Sequence, residues 1–196
     1  MSRNLSKELV SPNLTVREVD KSNWADFVKL FESPGCPSYC WCMAWRPLPG
    51  DRSHSSNAVR KTAMKGTVQS GTPVGILAYQ GSQPVAWCSI APRQTYLPLG
   101  GKDYPGIPDE KVWSLVCFFI PRKLRGQGIM RQLLQEAINT ARKRGARVIE
   151  AYPVDPDSPS YRFMGFVSNF QKAGFVEIGR AGKRRHVMQL NLRPAK

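Results

Sequence analysis

The chain has 196 residues, 41% of them hydrophobic and 10% aromatic, enough for one domain with a substantial core and short for two. That composition argues against wholesale disorder, and no apolar run is long enough to cross a bilayer. The 29 Lys and Arg against 14 Asp and Glu leave a formal charge of +15, which favours anionic partners such as phosphates, nucleotides or acidic small molecules over strongly cationic ones.

Residues 1–13 are polar and predicted to fray, so the folded domain is expected over 14–192. The opening MSRNLSKELVSPNLTV lacks the apolar stretch and cleavage site of a signal peptide, and a cytoplasmic protein is expected. LTVREVD (14–20) reads as a first strand. SNWADFVKLFE then places Trp24, Phe27, Val28 and Phe31 on one helical face behind a Ser22 or Asn23 cap. SPGCPSYCWCMAWRPLPGD is rich in Pro, Gly and aromatics and reads as an irregular, partly buried loop. A second helix is predicted over SNAVRKTAMKGTVQS. PVGILAYQ and PVAWCSIA form a hairpin about the polar link GSQ, and a long proline-bearing loop leads to KVWSLVCFFI, the strongest and most central strand candidate. From Gly128, Ile129, Met130, Leu133, Leu134, Ala137, Ile138 and Ala141 recur at helical spacing, with basic residues and Gly145 closing the helix. RVIEAYPV is a further strand, DPDSPS a turn, RFMGFVSNFQKAG a last helix, and FVEIGR with HVMQLNL a closing hairpin.

Five cysteines and no export signal indicate reduced thiols. Cys36, Cys40 and Cys42 lie close to His54, but C-x3-C-x-C is not a usual zinc spacing and no second ligand pair follows, so packing beside Trp41 and Trp45 is the favoured reading. Cys88 and Cys117 lie on central strands. A covalent acyl-cysteine would need a nearby base, and the only histidines, His54 and His186, are distant in sequence, so these too read as core.

The stretch CFFIPRKLRGQGIM leaves a strand through Arg122, Lys123 and Arg125 and sets Gly126 and Gly128 where a helix begins. Unpaired N–H groups at a helix start, the dipole and missing β-carbons make an anion site. A P-loop would need Lys and a hydroxyl residue after the second glycine, where Ile129 and Met130 stand; a dinucleotide fingerprint would need glycine at Arg131. Both nucleotide patterns fail.

IPRKLRGQGIM resembles the acyl-coenzyme A motif of the GNAT superfamily of N-acetyltransferases, Gln/Arg-x-x-Gly-x-Gly/Ala, and FQKAGFVEIGR resembles its last-helix signature. The element order is similar to that superfamily over roughly 14–192. The resemblance implies an α/β (α+β) single domain with a mixed, mostly antiparallel sheet of about seven strands flanked by helices. It also implies an acetyl-CoA-dependent transferase. Backbone N–H groups from Arg125, Gly126, Gln127, Gly128, Ile129 and Met130 would take the pyrophosphate, with Lys123 beside them, and the pantetheine arm would pair along Phe118, Phe119 and Ile120. Two departures stand out. Lys123 occupies the family's Gln/Arg position, and Phe170 occupies the place where the family often has a tyrosine acid, with no proton to give.

Acetyl transfer to an amine needs a deprotonated nucleophile, a polarised thioester carbonyl and a proton for the thiolate. A backbone N–H near Phe119 is the expected carbonyl donor. Glu150 and Asp155 flank the neighbouring strand as candidate bases. Tyr152 and Tyr161 are the nearby phenols, and Ser168 or Asn169 could orient water. Tyr161, Glu150 and Tyr152 are thus the catalytic candidates; Glu150 is equally compatible with a solvent-facing strand position, and Tyr161 with packing over the proline-rich turn. Trp24, Tyr39, Trp41, Trp45, Trp87 and Tyr96 are candidates for an acceptor pocket or for core. The expected acceptor is a small-molecule amine. An alternative is a basic nucleic-acid-binding module, its best feature being GKRRH (182–186), although no RNA-binding signature accompanies it; a protein or tRNA-linked amine lies between the two. No metal and no membrane partner are expected, and a homodimer is left open.

Overall fold

In the computed structural model, which describes residues 14–48 and 55–192, the predicted order of elements is present. It runs Thr15–Glu18 (β1), Trp24–Glu32 (α1), Asn57–Gln69 (α2), Ile76–Gln80 (β2), Gln83–Pro92 (β3) and Val112–Phe119 (β4). Ile129–Lys143 (α3), Val148–Ala151 (β5), Val167–Lys172 (α4), Val176–Ala181 (β6) and Arg185–Asn191 (β7) complete it. The strands form one sheet in the order β1-β2-β3-β4-β5-β7-β6. Every pair is antiparallel except β4 with β5, which α3 connects as a crossover. The single-domain, mostly antiparallel α/β expectation holds.

Each face of the sheet is covered by what its neighbouring sequence can bury. On one face lies α3, whose Ile129, Leu133, Leu134, Ala137, Ile138 and Ala141 pack on Ile76, Cys88, Ile90 and Leu115 of the strands, joined by Phe170 of α4. Each of the larger aliphatics contributes about 1.5–3 kcal/mol by leaving water. The other face takes α1 and the Cys-rich segment, where Phe27, Phe31 and Trp41 stack around Trp87 of β3. A third cluster on that side joins Tyr96 and Leu99 of the long loop to Val116, Tyr152, Met164 and Val187.

Several boundaries differ from the sequence reading; β2, expected from Pro73, begins at Ile76. β1 is shorter than 14–20. The strand expected over 147–154 ends at Ala151, because the chain then turns through Tyr152 and Pro153, which has no N–H for a ladder. The last helix begins at Val167 and not at Arg162. Gly165 at φ +88° breaks the chain after a short helical turn, Arg162–Met164, and Phe166 is extended to bridge Val154. An added Cβ at Gly165 would stand 2.8 Å from Phe170 and 3.0 Å from Met130, so glycine is also required there by close approach.

Candidate active site

Strands β4 and β5 pair in parallel only from Val112–Val148 to Leu115–Ala151. Beyond that point they part. β4 continues to Phe119 paired with β3 alone, while the chain after β5 turns away and makes isolated bridges from Val154 to Phe166 and Arg185. The β5-facing edge of residues 116–119 therefore has no strand neighbour. A bulge sits at the start of this stretch: Cys117 faces Ser89 and Leu115 faces Ile90, which leaves Val116 as the extra residue. The bulge reverses the side-chain alternation. Trp113 and Leu115 point under α3, Val116 and Cys117 both lie toward the opposite face, and Phe118 returns beneath α3.

The open edge runs directly into the glycine segment. Gly126 and Gly128 have φ of +77° and +78°, and Gly128 caps α3. The N–H groups of Gly126, Gln127, Gly128, Ile129 and Met130 have no backbone acceptor among the described residues, whereas Arg131 and Gln132 already bond the Gly128 carbonyl. Arg125 Nε donates to the Ile120 carbonyl at 2.9 Å and Gln127 Nε2 to the Lys123 carbonyl at 3.1 Å, so both side chains brace the loop. A Cβ at Gly126 would meet nothing within 4 Å, which leaves the approach to these amides clear. Arg122, Lys123, Arg125 and Arg131 are exposed around it, while Ile129 is buried and anchors the helix start. The arrangement suits an anion held by amides at the positive end of a fifteen-residue helix.

Glu150 does not face solvent: it is fully buried. Its Oε1 accepts from the Lys102 amide at 2.8 Å and the Tyr104 hydroxyl at 2.9 Å, and its Oε2 accepts from Tyr152 at 2.7 Å. Arg93 Nη1 stands 3.6 Å from Oε2 and donates to the Lys102 carbonyl, while Nη2 pairs with Asp109. The loop can close this tightly because Gly101 has no side chain; a Cβ there would lie 2.3 Å from Oε2. Burial, and then the Glu150 charge, raise Tyr104 and Tyr152 well above the usual phenol range, so both remain donors. Arg93, Lys102 and Tyr104 had no legible role in the sequence; only the two adjacent glycines of the loop hinted at a close approach.

Of the three catalytic candidates, the structure joins Glu150 and Tyr152 and sets Tyr161 apart from Glu150. Tyr161 shares the Tyr152 cluster, has φ +60°, and is half-buried against Trp45 and Phe163, with the Arg185 guanidinium 5.4 Å above its ring. Arg185 also lies 4.8 Å over Trp45 and donates to the Leu99 carbonyl. Asp155 pairs with His186 at 3.1 Å. Ser168 is exposed, and Phe170 is buried among Phe118 and Phe175. Of the pocket aromatics, Trp41, Trp87 and Tyr96 are core, Tyr39 is exposed, and Trp45 stands beside Tyr161. Among the described residues no group of three or more His, Cys, Asp or Glu is arranged to hold a metal, and no helix is long and apolar enough to cross a membrane; His54 lies outside those residues.

The Acetyltransferase (GNAT) family profile matches residues 31–166. No curated protein sequence matches the chain. Among solved structures, an N-acetyltransferase from Staphylococcus aureus Mu50 aligns with a TM-score of 0.56 at 14% identity, over 92% of this chain and 99% of that one. The yncA protein of Salmonella typhimurium, solved with its cofactor acetyl-CoA, aligns at 0.54 and 17% identity over 92% and 94%. A ribosomal-protein-alanine N-acetyltransferase from Brucella melitensis aligns at 0.55 and 19% identity over 91% and 99%. At these identities the likeness to each structure is one of fold.

Proposed function

The chain belongs to the GNAT acetyltransferase family, acyltransferases that use acetyl-CoA, and from that premise we propose that it acetylates the amine of a small-molecule acceptor by direct attack in a ternary complex. The observation that carries this reading is the continuity of two features. The five amides of Gly126 to Met130 at the α3 mouth, which have no backbone acceptor among the described residues, lie at the end of the stretch of β4 that has lost its β5 neighbour. The amides would take the coenzyme's pyrophosphate, with Lys123 and Arg125 adding charge and Gln127 bracing the loop. The open edge from Val116 through Phe118 and Phe119 to Ile120 would receive the pantetheine arm as an added strand, which aligns the thioester without further chemistry from the protein. A backbone N–H of β4 near Phe119 would polarise the thioester carbonyl.

In this reading the amine loses its proton at the apex of the split. Tyr152 stands there, its hydroxyl already donating to Glu150; as the phenol oxygen accepts the amine proton, its own proton passes to the carboxylate. Tyr161 supplies the proton for the departing thiolate, since Phe170 cannot. Isothermal titration with acetyl-CoA tests the first half: micromolar binding is expected from the wild type, and none from Gly128→Val with an unchanged circular dichroism spectrum. Absence of wild-type binding at high micromolar concentration overturns the reading. For the chemistry, Tyr161→Phe should lower kcat more than KM, and an equal fall in both would remove its role as acid. The basic hairpin tip does not favour nucleic acid, because Arg184 is held by Ser160 and Arg185 is stacked on Trp45 and Tyr161.

A further inference from the structure

Where β4 and β5 part stands a cation that neither the helix mouth nor the Glu150 pocket uses. Arg185 opens β7 and bridges Val154, just beyond the end of β5, and its side chain is half-buried. Its guanidinium lies 4.8 Å from the Trp45 ring centroid and 5.4 Å from that of Tyr161, and the two rings are 6.2 Å apart at 42°. The three groups form a triangle, with the cation lying across two tilted rings and not between parallel ones. The long loop fixes both sides of it. The Leu97 N–H donates to the Trp45 carbonyl at 2.8 Å, and the Leu99 carbonyl accepts from Arg185 Nη1 at 3.0 Å. Tyr161 keeps a left-handed φ of +60°, uncommon for a bulky residue and retained where a side chain must be aimed. Trp45 and Tyr161 form the rim of the cluster that holds Tyr152 and Val116, the extra residue of the β4 bulge.

What this cation lacks is an anion. Asp155 lies 3.1 Å and Glu177 2.9 Å from His186, and Glu177 also pairs with Arg180. Glu150 is enclosed by its own donors. Among the described residues no carboxylate pairs with Arg185, and its Nε and Nη2 have no acceptor there, yet neither atom is enclosed. Ring faces and one carbonyl attract a guanidinium but do not cancel its charge. With Nη1 turned to Leu99, the free Nε–Nη2 edge presents two parallel N–H groups, the fork that matches both oxygens of a carboxylate. One fixed cation suits one negative charge, since the adjacent Arg184 is held on Ser160 at 3.0 Å.

We propose that Arg185 selects the acceptor and that the acceptor is an amine carrying a carboxylate. The inference rests on the acetyl-transfer reading for the reaction and adds to it the class of substrate. The carboxylate lies on the Nε–Nη2 edge, the apolar part of the acceptor rests against Trp45 and Tyr161, and the amine reaches toward Tyr152 of the same cluster. Recognition and rejection have one cause. A polyamine would bring a second ammonium against the guanidinium, and no carboxylate among the described residues stands there to receive it. Replacing the acceptor's carboxylate by a carboxamide removes the charge and half of the fork while keeping size and shape.

Matched pairs of acid and carboxamide test this on the full-length protein: phenylalanine, β-alanine and 6-aminohexanoate, each against its own amide. Transfer is followed by released coenzyme A thiol, and binding of each compound by isothermal titration with and without coenzyme A. In at least one pair the acid should exceed the amide in kcat/KM by about 10- to 100-fold, chiefly through KM. Arg185→Gln should bring the acid down to the level of its amide, move the amide by less than about threefold and leave acetyl-CoA affinity unchanged. Arg185→Lys keeps the charge without the fork, should retain only part of the preference, and serves if the glutamine variant does not fold. Amides equal to or better than acids in every pair, a preference that survives Arg185→Gln, or no acid bound at all overturns the proposal. Acid binding that depends on Arg185 without any acetyl transfer would remove the transfer reading and leave this site standing. Transfer that is indifferent to the carboxylate would do the reverse.

Discussion

The α3 mouth and the Glu150 pocket both gather hydrogen-bond donors around a place for negative charge, but the chain builds them differently. The mouth takes its donors from a contiguous run, Gly126 to Met130, and leaves them reachable from solvent. The pocket takes its donors from Arg93, Lys102, Tyr104 and Tyr152, spread over four places in the chain, and supplies its own anion from β5. The first arrangement leaves the amides poised for a ligand; the second spends its donors on the fold. Changes in the mouth should therefore move binding with little effect on stability, and changes in the pocket should do the reverse.

The strongest way to break this contrast is Glu150→Ala. It leaves the buried Tyr152 hydroxyl, the half-buried Tyr104 hydroxyl and the Lys102 amide without their acceptor and takes from Arg93 one of its two carboxylates, at a cost of about 3–5 kcal/mol. Thermal unfolding should show a Tm lower by about 10 °C. Turnover should be lost, because the proposed proton acceptor is gone, while acetyl-CoA affinity measured on folded protein in the cold should be unchanged. Gly128→Val comes next. A branched side chain in the mouth should weaken acetyl-CoA by at least about a hundredfold, roughly 2.7 kcal/mol. Its left-handed φ makes some loss of Tm inevitable, so the expected outcome is the ratio: binding abolished with the melting transition still cooperative. If Glu150→Ala abolished binding and Gly128→Val only stability, the two regions would have exchanged roles.

The difference in construction is also why one region was legible in the sequence and the other was not. Glycines, basic residues and a strand-to-helix switch at Arg125–Met130 are local features, and local features survive in a linear reading. The same holds for α3, whose buried stripe follows from spacing alone. The bulge at Val116 leaves no mark, since it is defined by register against β3 and the extra residue is an ordinary valine. The partners of Glu150 sit in a loop whose path is fixed only when Gly101 closes on the carboxylate, so the sequence left Glu150 equally able to face water. Pro153 and Gly165 end β5 early and start α4 late, but what joins the two boundaries is the extended Val154–Phe166 bridge, which requires both segments at once.

Smaller changes sharpen the contrast. Tyr104→Phe removes one of the three hydrogen bonds to Glu150 and keeps the proposed proton route through Tyr152 intact. It should cost about 1 kcal/mol of stability, a Tm shift of about 2–4 °C, and leave kcat near the wild-type value. A fall in kcat as large as that of Glu150→Ala would mean that Tyr104 belongs to the proton route after all.

The mouth offers a finer pair in Lys123 and Arg125, both exposed and both charged, of which Arg125 alone is bonded to the Ile120 carbonyl. If each contributes only field, Lys123→Ala and Arg125→Ala should weaken acetyl-CoA equally, by about threefold at low salt, and the loss should fade toward 0.5 M salt as screening shortens to about 4–5 Å. The hydrogen bond predicts otherwise for Arg125. Its loss frees the turn that presents the Gly126 and Gly128 amides, and that part of the defect is geometric, so it should persist at high salt. Titrating both variants at two salt concentrations separates charge from bracing, and equal curves at high salt would reduce Arg125 to a surface cation.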